Sequence, residues 1–190
     1  MSMPYLVAGH AAIDRLPLDS RHIVAQGDAM VLEGPWPWTS LVVARADEAE
    51  VEAARACGLD GYLVDALAEP GSGQALVVAA HRMLDLERFK PYADQVGAVV
   101  ERFGGRFLAR AAKATMLGGD FLSERAVIIE FPTAADAVAF YVSDIYAPLI
   151  AIRHATTDPR FLIMARDGAL PAAARAAAES YLRSHPASAH

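Results

Sequence analysis

From Ala75 onward the apolar residues switch between strand-length runs and a three-and-four helical spacing, and that order admits few folds. Ala75 to His81 is a buried-strand run ending in Arg82 and Met83. Phe89, Tyr92, Val96, Val99, Val100 and Phe103 then share one apolar face, with Glu87, Arg88, Asp94 and Glu101 between them, which predicts an amphipathic helix stopped by Gly104-Gly105. Pro91 lacks a backbone donor, so regular helix is expected to begin near it. Arg106 to Leu117 and Arg125 to Phe131 read as strands joined through Gly118-Gly119-Asp120. Pro132-Thr133 opens a second helix through Phe140 and Tyr141, and a short helical stretch follows from Tyr146 to Arg153. Asp158-Pro159 reads as a turn, Phe161 to Ala165 as the last strand, and alanine-rich Pro171 to Arg183 as an extra terminal helix.

This β-α-β-β-α-β order is the split βαβ, ferredoxin-like arrangement of an α+β fold, with an antiparallel sheet and both helices on one face. The turn cluster Glu69-Pro70-Gly71-Ser72-Gly73-Gln74 separates it from a first piece that repeats parts of it. Tyr5 to His10 sets beside Leu76 to His81 at an offset of 71. Ala29 to Gly34 sets beside Ala114 to Gly119 at 85, and Leu41-Val42-Val43 beside Val127-Ile128-Ile129 at 86. Tyr62-Leu63-Val64 sets beside Phe161-Leu162-Ile163 at 99. The two jumps each remove about one helix and spare the strands. Residues 1–70 are therefore expected to be a degenerate ferredoxin-like copy that has lost most of its first helix and keeps its second, Asp47 to Cys57. Residues 71–74 would be the linker, 75–168 the complete copy and 169–190 the terminal helix and tail. A sheet with helices on one face needs cover on the other, so the first copy is expected to supply it. One chain would then form a pseudo-dimer, and a homodimer beside it stays open.

Composition narrows the function classes. With 54% hydrophobic and 21% charged residues and a mean hydropathy of +0.23, the chain can bury a core. Seventeen Lys and Arg against 23 Asp and Glu give a net charge of −6, with no basic block, which argues against a nucleic-acid partner. The single cysteine, Cys57, allows no disulfide within the chain and no cysteine-based zinc site, as expected in a reducing compartment. No apolar run reaches the roughly 18 residues a membrane span needs, so the expectation is a cytoplasmic protein without a membrane partner. Glycine-rich nucleotide loops, His-Glu-x-x-His and nucleophile elbows are absent, so no cofactor and no metal are expected.

The residues of the second copy resemble the domain-of-unknown-function 1330 family, within the dimeric α/β-barrel superfamily. The resemblance runs from about Ala75 to Gly168 and is carried by several stretches. They are Tyr92, Phe103-Gly104-Gly105-Arg106-Phe107-Leu108, Leu117-Gly118-Gly119-Asp120-Phe121, Glu124 to Pro132, Phe140-Tyr141 and Ser143-Asp144-Ile145-Tyr146. Ala111-Ala112 stands where the family usually has Gly-Gly, and Phe121 and Phe140 replace common tryptophans. The resemblance implies two sheets packed face to face into a barrel, and superfamily relatives include cofactor-independent monooxygenases and isomerases acting on small cyclic metabolites.

Several residues could carry chemistry. His81 and His10 end the first strand of each copy, where an imidazole facing a cavity could act as a base or be held by a backbone partner. Arg106 and Arg110 share a face by strand alternation, and with Arg125 they could clamp a carboxylate or enolate or pair with nearby acids. Tyr92, Tyr141 and Tyr146 project from helices, either to bind a carbonyl or to pack. Trp36-Pro37-Trp38 could line a ligand mouth or wedge against the second copy. His154, near Asp158, is an isolated candidate, and His185 and His190 lie in the tail. The expected function is binding of a small apolar or aromatic metabolite in a barrel cavity, with His10, Trp36, Trp38, Tyr141 and Tyr146 as ligand contacts. The alternatives are a cofactor-independent monooxygenase- or isomerase-like enzyme using His81, Arg110, Arg125 and Tyr92, and an assembly module without ligand.

Overall fold

The computed structural model describes residues 3–13, 16–119 and 124–185. Expectations resting on Asp14, Asp120, Phe121 and residues 186–190, and on the side chains of Ala111 and Ala112, lie outside the described part. Eight strands are β1 (Tyr5–Gly9), β2 (Ile23–Glu33), β3 (Ser40–Arg45), β4 (Gly61–Val64), β5 (Ala75–Met83), β6 (Arg106–Gly118), β7 (Arg125–Phe131) and β8 (Thr157–Ala165). They close into one antiparallel barrel in the spatial order β1-β3-β2-β8-β5-β7-β6-β4, with β4 pairing back onto β1. All eight strands come from one chain, and closure gives each of them a neighbour on both sides along part of its length.

Alternation along each strand divides the apolar residues into two layers. Tyr5, Val7, Leu41, Val43, Tyr62, Leu76, Val78, Ile128 and Leu162 form one buried cluster inside the barrel. An eight-stranded barrel is just wide enough for side chains to fill it, and these do. Val77, Ala79, Ile129, Phe131, Phe161 and Ile163 face outward under the helices of the second half. Those helices are α3 (Leu86–Arg102), α4 (Ala134–Tyr141), α5 (Ala147–Thr156) and α6 (Ala172–Ser184). In the first half the corresponding outer layer is a small cluster of Leu6, Ala8, Ala46, Ala54, Leu59 and Leu63, under α2 (Glu48–Ala56). The first helix there, α1 (His10–Ile13), is a single turn.

Local signals explain the helix ends. Asp47 caps α2 through a reciprocal capping box with Glu50, and Thr133 caps α4 by accepting from Asp136 N at 3.1 Å. Asp85 accepts from Arg88 N at 3.0 Å, which starts α3 at Leu86 and leaves Pro91 inside the helix. The expected start at Pro91 is therefore five residues late. A strong cap outweighs the one backbone hydrogen bond that Pro91 removes.

Three further expectations change. Asp158-Pro159 is strand, not turn: Pro159 sits in β8 opposite His81, and β8 gains its second neighbour, β2, only from Phe161 on. Pro159 thus occupies an edge stretch of the strand, where its missing N–H breaks no ladder. Arg106 and Arg110 do not share a face. The register of β6 shifts between Phe107 and Ala109, and such a bulge reverses the alternation beyond it. Finally, Val7 stands opposite Val43 as Val78 stands opposite Ile128, and Val7 opposite Tyr62 as Val78 opposite Leu162. Equal places in these ladders lie 85 and 100 residues apart, one residue from the offsets 86 and 99.

Candidate functional site

The outward side chains near the end of β5 and the inner face of α3 do not close on one another. Between them lies a cavity of about 40 Å³ lined by Ala79, His81, Phe89, Tyr92, Ala93, Val96, Phe107, Arg110, Arg125, Val127, Ile129 and Phe161. The cavity is outside the barrel wall and not within the barrel. Its residues come from β5, α3, β6, β7 and β8, so the whole site belongs to the second half of the chain.

Each polar group reaches the cavity for a local reason. His81 continues the outward parity of Val77 and Ala79 and lies opposite Arg125 across the β5–β7 ladder. It is 3% exposed, and its Nδ1 has no hydrogen-bond partner among the described residues. Burial, and then the nearby Arg153 charge, hold its pKa down at about 3, against smaller upward pulls from Glu33 and from the Ala80 backbone. The ring is therefore neutral at physiological pH. Tyr92 enters from α3, one turn after Phe89, and its hydroxyl lies 3.1 Å from the Tyr146 hydroxyl. Burial raises its pKa. Arg110 follows the β6 bulge, and the guanidinium lies 4.7 Å from the Phe107 ring centroid and donates to the Ala93 carbonyl at 2.9 Å.

Behind this cavity is a buried polar network. Arg153 on α5 donates two 2.7 Å hydrogen bonds to Glu33, at the end of β2, and both side chains are fully buried. Tyr141 donates to Glu33 Oε1 at 2.6 Å, and His154 Nε2 lies 3.1 Å from Oε2. Burial alone would raise the Glu33 carboxyl, but the Arg153 charge and the hydrogen bonds bring it down to about 2. The Arg153 guanidinium also lies 4.9 Å from the ring centroid of Phe161, a wall of the cavity. Phe161 thus links the network to the site.

The candidates fall into separate places. His81, Tyr92, Arg110 and Arg125 converge on the cavity. Tyr141 and Tyr146 are buried in the network and do not line it. Trp36 and Trp38 pack on the barrel-interior cluster in the first half, where Trp38 Nε1 donates to Asp60 at 2.9 Å, and His10 is exposed at the start of α1. Arg106 pairs with Glu130 at 2.6 Å, away from the cavity. Sequence reasoning missed Glu33 and Arg153. An acid closing the apolar run Ala29 to Leu32, and an arginine on the apolar face of Leu149-Ile150, were the available signals. Among the described residues, His22, Asp47 and Glu50 also place ligand atoms close together. Glu50 there already accepts from Asp19 N, Asp47 N and His22, so its oxygens serve the helix cap.

These features define a class: a single-chain, closed antiparallel α+β barrel with a side cavity in its C-terminal half. Residues 74–166, which hold β5 through β8, match the family model described as Domain of unknown function (DUF1330). No curated protein matches the chain. Among the described residues, no helix is long and apolar enough to cross a membrane.

Proposed function

We propose that this protein binds a small, mostly apolar molecule in the cavity between the barrel wall and α3. The observation that carries the reading is His81: a buried ring nitrogen without a partner, lining a cavity beside Tyr92, Arg110 and Arg125. Buried polar groups without partners are rare in folded proteins and ask for an occupant. The volume, about 40 Å³, is far below the roughly 300–1,000 Å³ of drug-sized pockets. The occupant is correspondingly small. A binding role is favoured over the enzymatic alternative because an imidazole with a pKa of about 3 is a weak base, whereas efficient general bases titrate near the working pH.

The scaffold is, in this proposal, two ferredoxin-like copies arranged as a pseudo-dimer, with units 1–70 and 75–168 joined by 71–74. Equal strand orders support it: β4-β1-β3-β2 in the first half and β8-β5-β7-β6 in the second. Gly34 and Gly119, one residue beyond β2 and β6, both have φ near +70° (66° and 78°). A cytoplasmic setting, with no nucleic-acid or membrane partner, fits the acidic charge and the single cysteine. The test is a thermal-shift screen with small aromatic and lactone metabolites, repeated on His81→Ala. A stabilisation that disappears in the variant supports the reading. A screen without any shift removes it and leaves an assembly role.

A further inference from the structure

Two hydroxyls at the back of the cavity hold one proton more than they can place. Tyr92 lines the cavity, Tyr146 lies behind it, and their oxygens are 3.1 Å apart. Each carries one O–H. When one donates to the other, the acceptor's own proton is left over, and neither hydroxyl has a further partner among the described hydrogen bonds. Both side chains are buried, so bulk water does not take it. The Arg153 guanidinium lies 5.8 Å from the Tyr146 ring centroid, and of the two hydroxyls it interacts more strongly with that of Tyr146. A cation on that side turns the lone pairs of the Tyr146 oxygen toward itself and the Tyr146 proton toward Tyr92. The surplus proton is then the one on Tyr92, at the cavity. Burial raises the Tyr92 pKa, so the hydroxyl keeps that proton at physiological pH.

The rest of the described lining offers this proton little. Ala79, Phe89, Val96, Phe107, Ile129 and Phe161 are apolar, and arginine side chains only donate. The acceptor-capable side chain left is the neutral His81 ring, whose Nδ1 has no partner. We infer that the cavity takes a small neutral carbonyl compound, such as a ketone or an ester, its oxygen accepting from the Tyr92 hydroxyl and its apolar body against Phe89, Phe107 and Phe161. This rests on the binding role proposed above and names the chemical class. A carbonyl oxygen has two lone pairs and no proton, so it ends the surplus. An alcohol accepts the Tyr92 proton but brings one of its own, which only His81 can take. A hydrocarbon leaves the buried donor unsatisfied.

The experiment titrates cyclopentanone, cyclopentanol and cyclopentane into the full chain and into Tyr92→Phe and Tyr146→Phe, with binding followed by amide resonance shifts in NMR. The expected result is that cyclopentanone binds at least about fivefold more weakly to Tyr92→Phe than to the parent or to Tyr146→Phe, while cyclopentane binds all three alike. The carbonyl stretching band of bound cyclopentanone should lie at lower frequency in the parent than in Tyr92→Phe, because an accepted hydrogen bond weakens the C=O bond. Circular dichroism melting of each variant separates these effects from unfolding. If Tyr92→Phe binds cyclopentanone as well as the parent does, or if cyclopentanol binds more tightly than cyclopentanone, the carbonyl assignment is overturned while the binding role stands. A fivefold gain in Tyr146→Phe would show that Tyr92 donates to Tyr146 in the parent, and it overturns the assignment in the same way. If cyclopentanone does not bind but another metabolite raises the melting temperature, the assignment falls alone. If no probe in either experiment binds, both fall together.

Discussion

Glu33 and Arg153 meet as a fully buried bidentate pair, 2.7 Å on each arm, and they join β2 of the first half to α5 of the second. No other acid shares the Arg153 guanidinium among the described ion pairs, while Glu33 also accepts from Tyr141 and lies 3.1 Å from His154 Nε2. Removing one partner of such a pair leaves the other charged and dry, which costs about 3–5 kcal/mol. Glu33→Gln and Arg153→Met should each destabilise the protein by about that amount in urea denaturation. The double variant Glu33→Leu with Arg153→Met should be less destabilised than the sum of its parts. Additive losses would show that the two residues do not act as a pair.

The cavity and the network behind it make the fold sensitive to acid. His81 titrates at about 3 when folded against an ordinary 6.5, so between those values the unfolded chain holds a proton that the folded chain does not. Stability then falls as pH drops below 6.5 and levels off near 3. Glu33, at about 2 against an ordinary 4.5, contributes stability that is present above 4.5 and is lost as pH falls toward 2. Both effects have the same sign and begin in sequence. Urea midpoints measured across this range should decline from pH 6.5 downward, and His81→Phe should flatten the slope between 6.5 and 4.5 while leaving the decline below 4.5. An unchanged slope in that variant would place the upper titration on another group.

Gly34 gives a test of how the two halves meet at the β2–β8 ladder. It has φ +66°, and an added Cβ would lie 2.3 Å from the Pro159 carbonyl oxygen. Gly58, at φ +57°, would meet nothing within 4 Å. Both substitutions to alanine carry the left-handed backbone cost of roughly 1–2 kcal/mol, but only Gly34→Ala must also push β2 from β8. Its loss of stability should exceed that of Gly58→Ala by at least about 1 kcal/mol in parallel melts. Equal losses would mean that the loop after β2 moves aside freely.

Much of the second half was legible because its elements are local. The face of Phe89, Tyr92, Val96 and Val100, the Thr133 cap and the alternation of β7 are each written in consecutive residues. What was not legible depends on neighbours distant in sequence. Pro159 reads as a turn residue unless one knows that β2 does not yet flank it, and Arg110 reads as facing with Arg106 unless the β6 bulge is known. Glu33 and Arg153 lie 120 residues apart, and nothing in either local pattern names the other. His81 and Tyr92 were legible as candidates, but a shared cavity required the packing of α3 on β5. That the cavity lies outside the barrel follows from side-chain parity, which fixes His81 on the face of Ala79 and not on that of Ala80.

His81 keeps a buried nitrogen without a partner, and a group in that state carries a penalty of about 1–3 kcal/mol. A ring of similar shape without nitrogen should relieve it, since the neighbouring Phe89, Phe107 and Phe161 offer apolar contact and the cavity leaves room. His81→Phe should therefore be more stable than the parent protein, by about 1 kcal/mol in denaturant at neutral pH, while losing the thermal shift that a bound metabolite gives the parent. Such opposed changes are the mark of a residue kept for a site and not for the core. A variant that is less stable than the parent would show that the imidazole already has a partner in solution, and the case for an occupant would lose its main support.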